Sequence, residues 1–258
     1  MRKPTTEFLL IDAGNTLLKW ATAGKKWPGR IVGDIDTPKA SPTWIKGLAR
    51  KFPTQPTILA CVVPKLVPAF RRAFGTRLVE VTAALPELAH TDAFHFCYPK
   101  PKEIGADRLA AAVAVHAWGH YPAIIVACGT ATAFTVLDEK GRFCGGAIAP
   151  GLQTQLTALL GASARLPKTR LEQPRRVLGK STQEAIRAGV MLNFQGGAKE
   201  IIQQLTRALP GRKKKHIILT GGNAHHLAKN LDMPFMLRPL LVFEGLLIIG
   251  FRAFGPTP

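Results

Sequence analysis

Runs of apolar residues broken by short turns of small polar ones mark this chain, and one such pattern occurs twice. Residues 8–23 (FLLIDAGNTLLKWATA) are an apolar run, a small-residue turn and a second apolar run, which predicts strand, turn, strand. Residues 124–151 (IIVACGTATAFTVLDEKGRFCGGAIAPG) repeat the pattern and add a third strand after a polar turn. A displacement of 115 residues lays Gly14 on Gly129, and the copies then differ at one position: Asp12 closes the first strand where Ala127 stands in the second. Residues 217–222 (IILTGG) echo the strand-then-glycine pattern a third time. Small residues at such turns leave backbone N–H groups open to an anion, a phosphate-binding geometry without a Walker sequence. Three of them predict two similar domains facing one cleft.

The intervening pattern fits an α/β protein. A surface helix is expected over 43–51, a buried strand over 57–63, a helix over 66–74 and another strand over 77–81, the rhythm of a mixed sheet. Residues 83–102 are irregular and proline-punctuated, and Tyr98 precedes Gly105 by seven positions. Residues 103–118 predict a helix that is apolar on nearly every side and therefore buried all round. Helices follow over 154–164, 182–193, 196–207 and 225–231, with a closing helix from Phe243. The second half mirrors the first, which places the domains at 1–118 and 119–258.

Composition narrows the class. With 258 residues, 47% of them hydrophobic, the chain can build cores for two domains. Its greasiest segments, 8–11 and 240–251, are interrupted by Asp12 and Glu244 and are far shorter than a membrane span, so a cytoplasmic protein is expected. Cys61, Cys97, Cys128 and Cys144 are widely spaced among apolar neighbours and read as buried reduced thiols. Charge is the anomaly: 35 Lys and Arg against 16 Asp and Glu give +19. The excess is spread (Lys25, Lys26, Arg71, Arg72, Lys168, Arg170, Arg175, Arg176, Lys180), and its one dense run, 212–215, lacks interleaved aromatic residues. A solvated loop explains that run better than a nucleic-acid arm.

The candidate chemistry is phosphoryl transfer. Two phosphate turns, a strand-end carboxylate (Asp12) to act through Mg²⁺, and Lys19 near the phosphates supply positioning and charge neutralisation. Asp107 sits in the first turn of the buried helix, where an aspartate also serves as a cap for orphan N–H groups. Its position between two phosphate turns favours a second role, accepting the proton of an attacking hydroxyl. Arg108 suits a substrate carboxylate. His116 and His120 have an i, i+4 spacing but are separated by Gly119, a poor zinc pair, and Gly179-Lys180-Ser181 lacks the first glycine of a P-loop because Pro174 stands there.

Eight elements carry a resemblance. They are Asp12-Ala13-Gly14-Asn15-Thr16 with Lys19; Tyr98 and Pro101 leading to Gly105-Ala106-Asp107-Arg108; Gly129-Thr130-Ala131-Thr132; the run Gly145-Gly146-Ala147-Ile148-Ala149-Pro150-Gly151; Leu166-Pro167; Gly179-Lys180-Ser181-Thr182; Thr220-Gly221-Gly222; and Glu244-Gly245-Leu246. In this order the chain resembles the type III pantothenate kinases, of the acetate and sugar kinase/Hsp70/actin superfamily. The resemblance implies two duplicated ribonuclease H-like (actin-like ATPase) domains, each a mixed β-sheet flanked by helices. It implies ATP-dependent phosphorylation of pantothenate to 4′-phosphopantothenate, the first step of coenzyme A biosynthesis, by a cytoplasmic homodimer with its substrate pocket at the subunit interface. Asp12, Ala13, Gly14, Asn15, Thr16, Leu17, Leu18, Lys19 and Thr130 would contact ATP, with Mg²⁺ at Asp12. Asp107 would be the general base, and Tyr98, Gly105, Ala106, Asp107, Arg108 and Thr182 would line the pantothenate site. In much of the family an aspartate at the place of Ala127 helps bind a monovalent cation, potassium or ammonium. A methyl group cannot replace it, so weaker potassium dependence is expected. The rivals are another small-molecule kinase of the superfamily, against which residues 98–108 argue, and a non-catalytic regulatory or nucleic-acid-binding relative. Retention of both Asp12 and Asp107 argues against the latter.

Overall fold

A computed structural model describes residues 7–24, 31–85, 94–211 and 213–255, so Lys25, Lys26 and Arg212 of the charge pattern lie outside the described residues. The chain divides into two compact units. The first comprises residues 1–120, 141–143 and 240–258; the second comprises 121–140 and 144–239.

In the first unit, β1 (Phe8–Ala13), β2 (Leu17–Ala23) and β3 (Gly33–Asp36) form an antiparallel meander. β4 (Thr57–Cys61) then lies parallel to β1, and β5 (Leu78–Glu80) parallel to β4. The sheet order is β3-β2-β1-β4-β5. Successive side chains of a strand point to opposite faces, and here both faces of β1 are covered, which is why its sequence is a continuous apolar run. Leu9, Ile11 and Ala13 join a core with Ile45 and Leu48 of α1 (Pro42–Lys51) and Phe70 and Phe74 of α2 (Val67–Phe74). Phe8, Leu10 and Asp12 take the opposite face, where Phe8 meets Phe251 edge-on at 5.1 Å. That face is covered by α3 (Ala106–Ala117) and α7 (Leu241–Phe254).

The alanines of α3 have a packing reason. Gly245 of α7 lies so close to Ala110 that a Cβ added to it would overlap the Ala110 backbone. Side chains larger than a methyl at this crossing would hold the helices apart, and residues Leu109–Val115 are accordingly all buried. The closing helix therefore belongs to the first unit, although a single cut after residue 118 would assign it to the second. Its apolar circumference, with a buried Glu244, is what a helix packed between α3 and the sheet requires.

The second unit repeats the plan. β6 (Ala123–Cys128) pairs antiparallel with β7 (Ala131–Leu137), β8 (Phe143–Pro150) adds to β7, and β9 (His216–Thr220) runs parallel to β6 with the short β10 (Met236–Leu237) beyond it. Its order, β8-β7-β6-β9-β10, is the first sheet's order counted from its own first strand. The fold is thus α/β and duplicated, as the repeated hairpins predict, with the two ribonuclease H-like domains that the resemblance implies. The third glycine echo is the end of β9, the counterpart of β4.

α4 (Leu152–Gly161), α5 (Thr182–Ala208) and α6 (Ala224–Ala228) cover this sheet over a core that includes Phe134, Leu156, Met191, Phe194 and Leu219. Two helices were expected where α5 is one of 27 residues. Gly196 and Gly197 do not break it, because the flanking Phe194, Gln195 and Ala198 are buried and anchor both halves. Gln195 fixes the middle turn: its Nε2 donates to His226 O at 2.8 Å, and its Oε1 accepts from Asn230 Nδ2 at 2.6 Å. The strands β3 and β10 escaped the sequence reading, being short, the first opening on Gly33 and the second lying between Pro234 and Pro239. All four cysteines are free, but Cys97 is exposed, so only Cys128 matches the expected buried thiol in full. Burial pushes the Cys128 thiol up to about 12. No described helix is long and apolar enough to cross a membrane.

Candidate active site

In the first unit the candidate residues converge on the end of β1. Asp12 pairs across the hairpin with Lys19, and Lys19 in turn with Asp34 of β3, so the three form one row on one face. Between Asp12 and Lys19 the chain turns at Gly14, Asn15 and Thr16, all polar or small; Asn15 and Thr16 are exposed. Gly14 N–H donates to Leu17 O at 3.1 Å and closes the turn. Ala13 and Leu18 are buried in the core with no side-chain exposure, so any ligand contact they make is through the main chain.

Asp12 faces the side of the sheet on which α3 begins, and its carboxyl records that setting. Burial first, and then the negative charge of Asp107, push it from 3.8 up to about 7 against the pull of Lys19. The repulsion falls on Asp12 because Asp107 is better compensated. Burial raises Asp107 too, but Arg108 lowers it through its backbone N–H and its guanidinium.

Asp107 is the second residue of α3, and the N-cap is Gly105, which contributes no side-chain cap. The Asp107 carboxylate folds back on the helix start: Oδ1 accepts from Arg108 N–H at 2.8 Å and would lie 2.7 Å from any Cβ at position 105. Glycine is needed there to make room for the carboxylate, not for an unusual φ, which is −60°. One oxygen of the carboxylate, Oδ1, is thus taken by the helix start.

Arg108 is half-buried over the ring of Phe143, 5.4 Å from its centroid, and burial lowers its pKa against the opposing charges of Asp107 and Tyr98. Tyr98 packs its ring on the same Phe143 at 6.0 Å. Phe143 is fully buried, and its N–H donates to His95 O at 2.8 Å, so it is a fixed platform for both residues. The sequence reading missed Phe143. Its only signal was position, directly after a Gly-Arg turn at the start of a strand.

In the second unit the turn after β6 holds Gly129 and Thr130, with Gly129 N–H donating to Ala131 O at 3.0 Å. Ala127 lies between Ala133 and Thr220 in the sheet and offers no acidic oxygen at the place of Asp12. Thr182 is the exposed first residue of α5, beside its N-cap Ser181, which accepts from Glu184 N–H at 3.2 Å. Glu184 returns a bond to Lys180 N–H at 2.8 Å, and Gly179 packs against the backbone at Ala185. The Gly-Lys-Ser triplet is therefore a helix start, which accounts for a P-loop-like spelling without a P-loop. His116, half of the histidine pair, contacts Gly141 O at 3.0 Å and the Phe94 ring at 5.4 Å.

Residues 8–204 match the family model described as type III pantothenate kinase. A type III pantothenate kinase of Methylacidiphilum infernorum is 33% identical over 242 residues, covering 94% of this chain and 87% of that protein. One of Gluconobacter oxydans is 31% identical over 258 residues, covering 96% and 94%. Among solved structures, a ROK family transcriptional regulator aligns at a TM-score of 0.54 with 11% identity, covering 97% of this chain and 79% of the other. The ethanolamine utilization protein EutJ from Carboxydothermus hydrogenoformans aligns at 0.52 with 15% identity, covering 99% and 92%. These two share the fold and no more. By the extent of its family match and by its identity to relatives along nearly their whole length, the chain belongs to the type III pantothenate kinase family.

Proposed function

We propose that this chain transfers the γ-phosphoryl group of ATP to the primary alcohol of pantothenate, forming 4′-phosphopantothenate at the first step of coenzyme A biosynthesis. Family membership supports the reaction, and the desolvated pair Asp12 and Asp107 carries the assignment to residues.

Asp107 receives the proton as the pantothenate hydroxyl attacks phosphorus. Burial raises its carboxyl while Arg108 pulls it back down, a setting that suits a general base. Tyr98, Gly105, Ala106 and Arg108 line the acceptor site, where the guanidinium on Phe143 receives the pantothenate carboxylate. Thr182 completes that site in a homodimer. The main chain of residues 12–19, together with Lys19 and Thr130, holds ATP through N–H groups at the turns. Asp12 fits a divalent ion, since it offers a hard oxygen donor in a poorly hydrated place, where Lys19 opposes the negative charge of Asp107 without cancelling it. Mg²⁺ bound there would neutralise phosphate charge. Ala127 supplies no ligand for a monovalent cation, so potassium or ammonium matters less than in relatives with an acidic residue there. A cytoplasmic location suits the soluble substrates.

The test is a radiolabelled ATP assay with pantothenate, run with potassium, with ammonium and with neither. Formation of 4′-phosphopantothenate by the wild type, and its loss in Asp107→Asn with ATP binding retained, supports the reading. Absence of phosphoryl transfer together with tight, salt-sensitive duplex binding would replace it with the regulatory alternative.

A further inference from the structure

Both nucleotide turns are tied down from outside by a threonine that no motif marks. In the first unit, Thr37 follows β3 immediately and is 4% exposed. Its Oγ1 donates to Gly14 O at 2.7 Å, and its N–H donates to Thr16 O at 2.9 Å. In the second unit, Thr154 stands in the first turn of α4, just after β8, the counterpart of β3. Its Oγ1 donates to Thr130 O at 2.6 Å, and Gly151 N–H donates to the same oxygen at 3.0 Å. A Cβ at Gly151 would overlap the carbonyls of Gly129 and Thr130, so α4 starts hard against the turn. A threonine from the segment after the third strand thus ties a turn carbonyl in each sheet, that of the glycine itself in the first and that of the residue after the glycine in the second.

The consequence follows from peptide geometry. In a trans peptide the carbonyl and the next N–H point in opposite directions. A hydroxyl that holds Gly14 O turns the N–H of exposed Asn15 the opposite way, and one that holds Thr130 O does the same for exposed Ala131. If either peptide flipped, a carbonyl oxygen would face the site and repel the anion that the N–H attracts. We propose that Thr37 and Thr154 are a matched pair of positioning residues, each locking one turn in the orientation that presents N–H groups to the phosphates of ATP. The proposal rests on the reading of these turns as the ATP site, and it needs no assumption about the acceptor.

The experiment measures ATP dissociation constants by calorimetry without pantothenate, and then both Michaelis constants, for Thr37→Val, Thr37→Ser, Thr154→Val and Thr154→Ser. Valine keeps the shape and loses the hydroxyl; serine keeps the hydroxyl and loses a methyl. Each valine variant is expected to bind ATP about tenfold more weakly, the worth of one well-placed hydrogen bond. The pantothenate Michaelis constant should be unchanged, and each serine variant should return to wild-type ATP affinity. Unchanged ATP binding in the valine variants, equal losses with serine and valine, or a parallel rise in both Michaelis constants would each overturn the proposal. Thr154 lies at the surface, so its arm decides if Thr37→Val does not fold. ATP binding by a wild type that leaves pantothenate unphosphorylated would refute the proposed reaction while leaving this test intact.

Discussion

Replacing Asp12 with asparagine is expected to make the protein more stable and less active. The Asp12 carboxyl stands at about 7 in the fold against 3.8 as its reference. A raised carboxyl binds its proton more tightly folded than unfolded, so stability falls as pH rises from about 4 to about 7 and stays low above that. At 1.36 kcal/mol per pH unit the full penalty is about 4 kcal/mol. Asp12 keeps partial exposure and has Lys19 opposite it, so screening reduces the figure, and ~2 kcal/mol at pH 8 is expected. For a unit of this size that corresponds to about 5 °C in the melting temperature. Asparagine is nearly isosteric and carries no charge, so it removes the penalty and relieves the repulsion with Asp107. The measurement is thermal unfolding of wild type and Asp12→Asn in EDTA at pH 8 and pH 4.5, following the transition to which the first unit contributes. The variant should melt higher at pH 8, the two should converge at pH 4.5, and phosphoryl transfer should fall by about two orders of magnitude. A variant no more stable than wild type at pH 8, or a gap that is the same at both pH values, would refute the idea that Asp12 is held against its preference for water.

Asp107→Asn should lower turnover by about two to four orders of magnitude with the ATP dissociation constant nearly unchanged, checked by steady-state kinetics beside calorimetry. Wild-type activity should respond only weakly to potassium, and Ala127→Asp should steepen the response; an enzyme silent without potassium would contradict the role given to that methyl group. Gly245→Ala forces a methyl group into the Ala110 backbone and should cost about 3 kcal/mol or more, seen as an earlier thermal transition. Because α3 carries Asp107 at its start, the same variant should lose turnover even where it remains folded.

The sequence made the duplication legible because both faces of the central strands are buried, so β1 and β6 are apolar runs that end in small turns. It was legible at Asp107 for a related reason: a charged residue opening an otherwise buried helix stands out against alanines. What could not be read depends on partners far apart in the chain. Phe143 acquires its role only when the strand it opens comes back to Tyr98 and Arg108, and Thr37 and Thr154 only when they meet carbonyls 23 and 24 residues earlier. The place of α7 was hidden similarly, since an all-round apolar helix fits any core and only Gly245 against Ala110 fixes which one. The glycine pair in α5 misled for the opposite reason. It is a local helix-breaking signal, overridden by burial on both sides.

The two halves have diverged in charge while keeping their backbone device. Around β1 stand Asp12, Lys19 and Asp34 in one row, with Asp107 near enough to repel Asp12. Around β6 the corresponding strand end is Ala127 between Ala133 and Thr220, with no charged side chain in the row. Each turn, however, keeps a glycine and a carbonyl tied by a threonine. A carboxylate at a phosphate turn is costly unless a cation or a proton relieves it, and one such site suffices for a single transferred group. An N–H cradle has no such cost, because its dipoles are fixed by the fold and indifferent to pH. With the turns in the role proposed for them, divergence after duplication discards the second carboxylate without loss of phosphate binding, whereas loss of either brace turns a carbonyl toward the anion. On this argument the second turn tolerates Ala127 at the place of Asp12, and Thr37 and Thr154 are positions where a hydroxyl must remain.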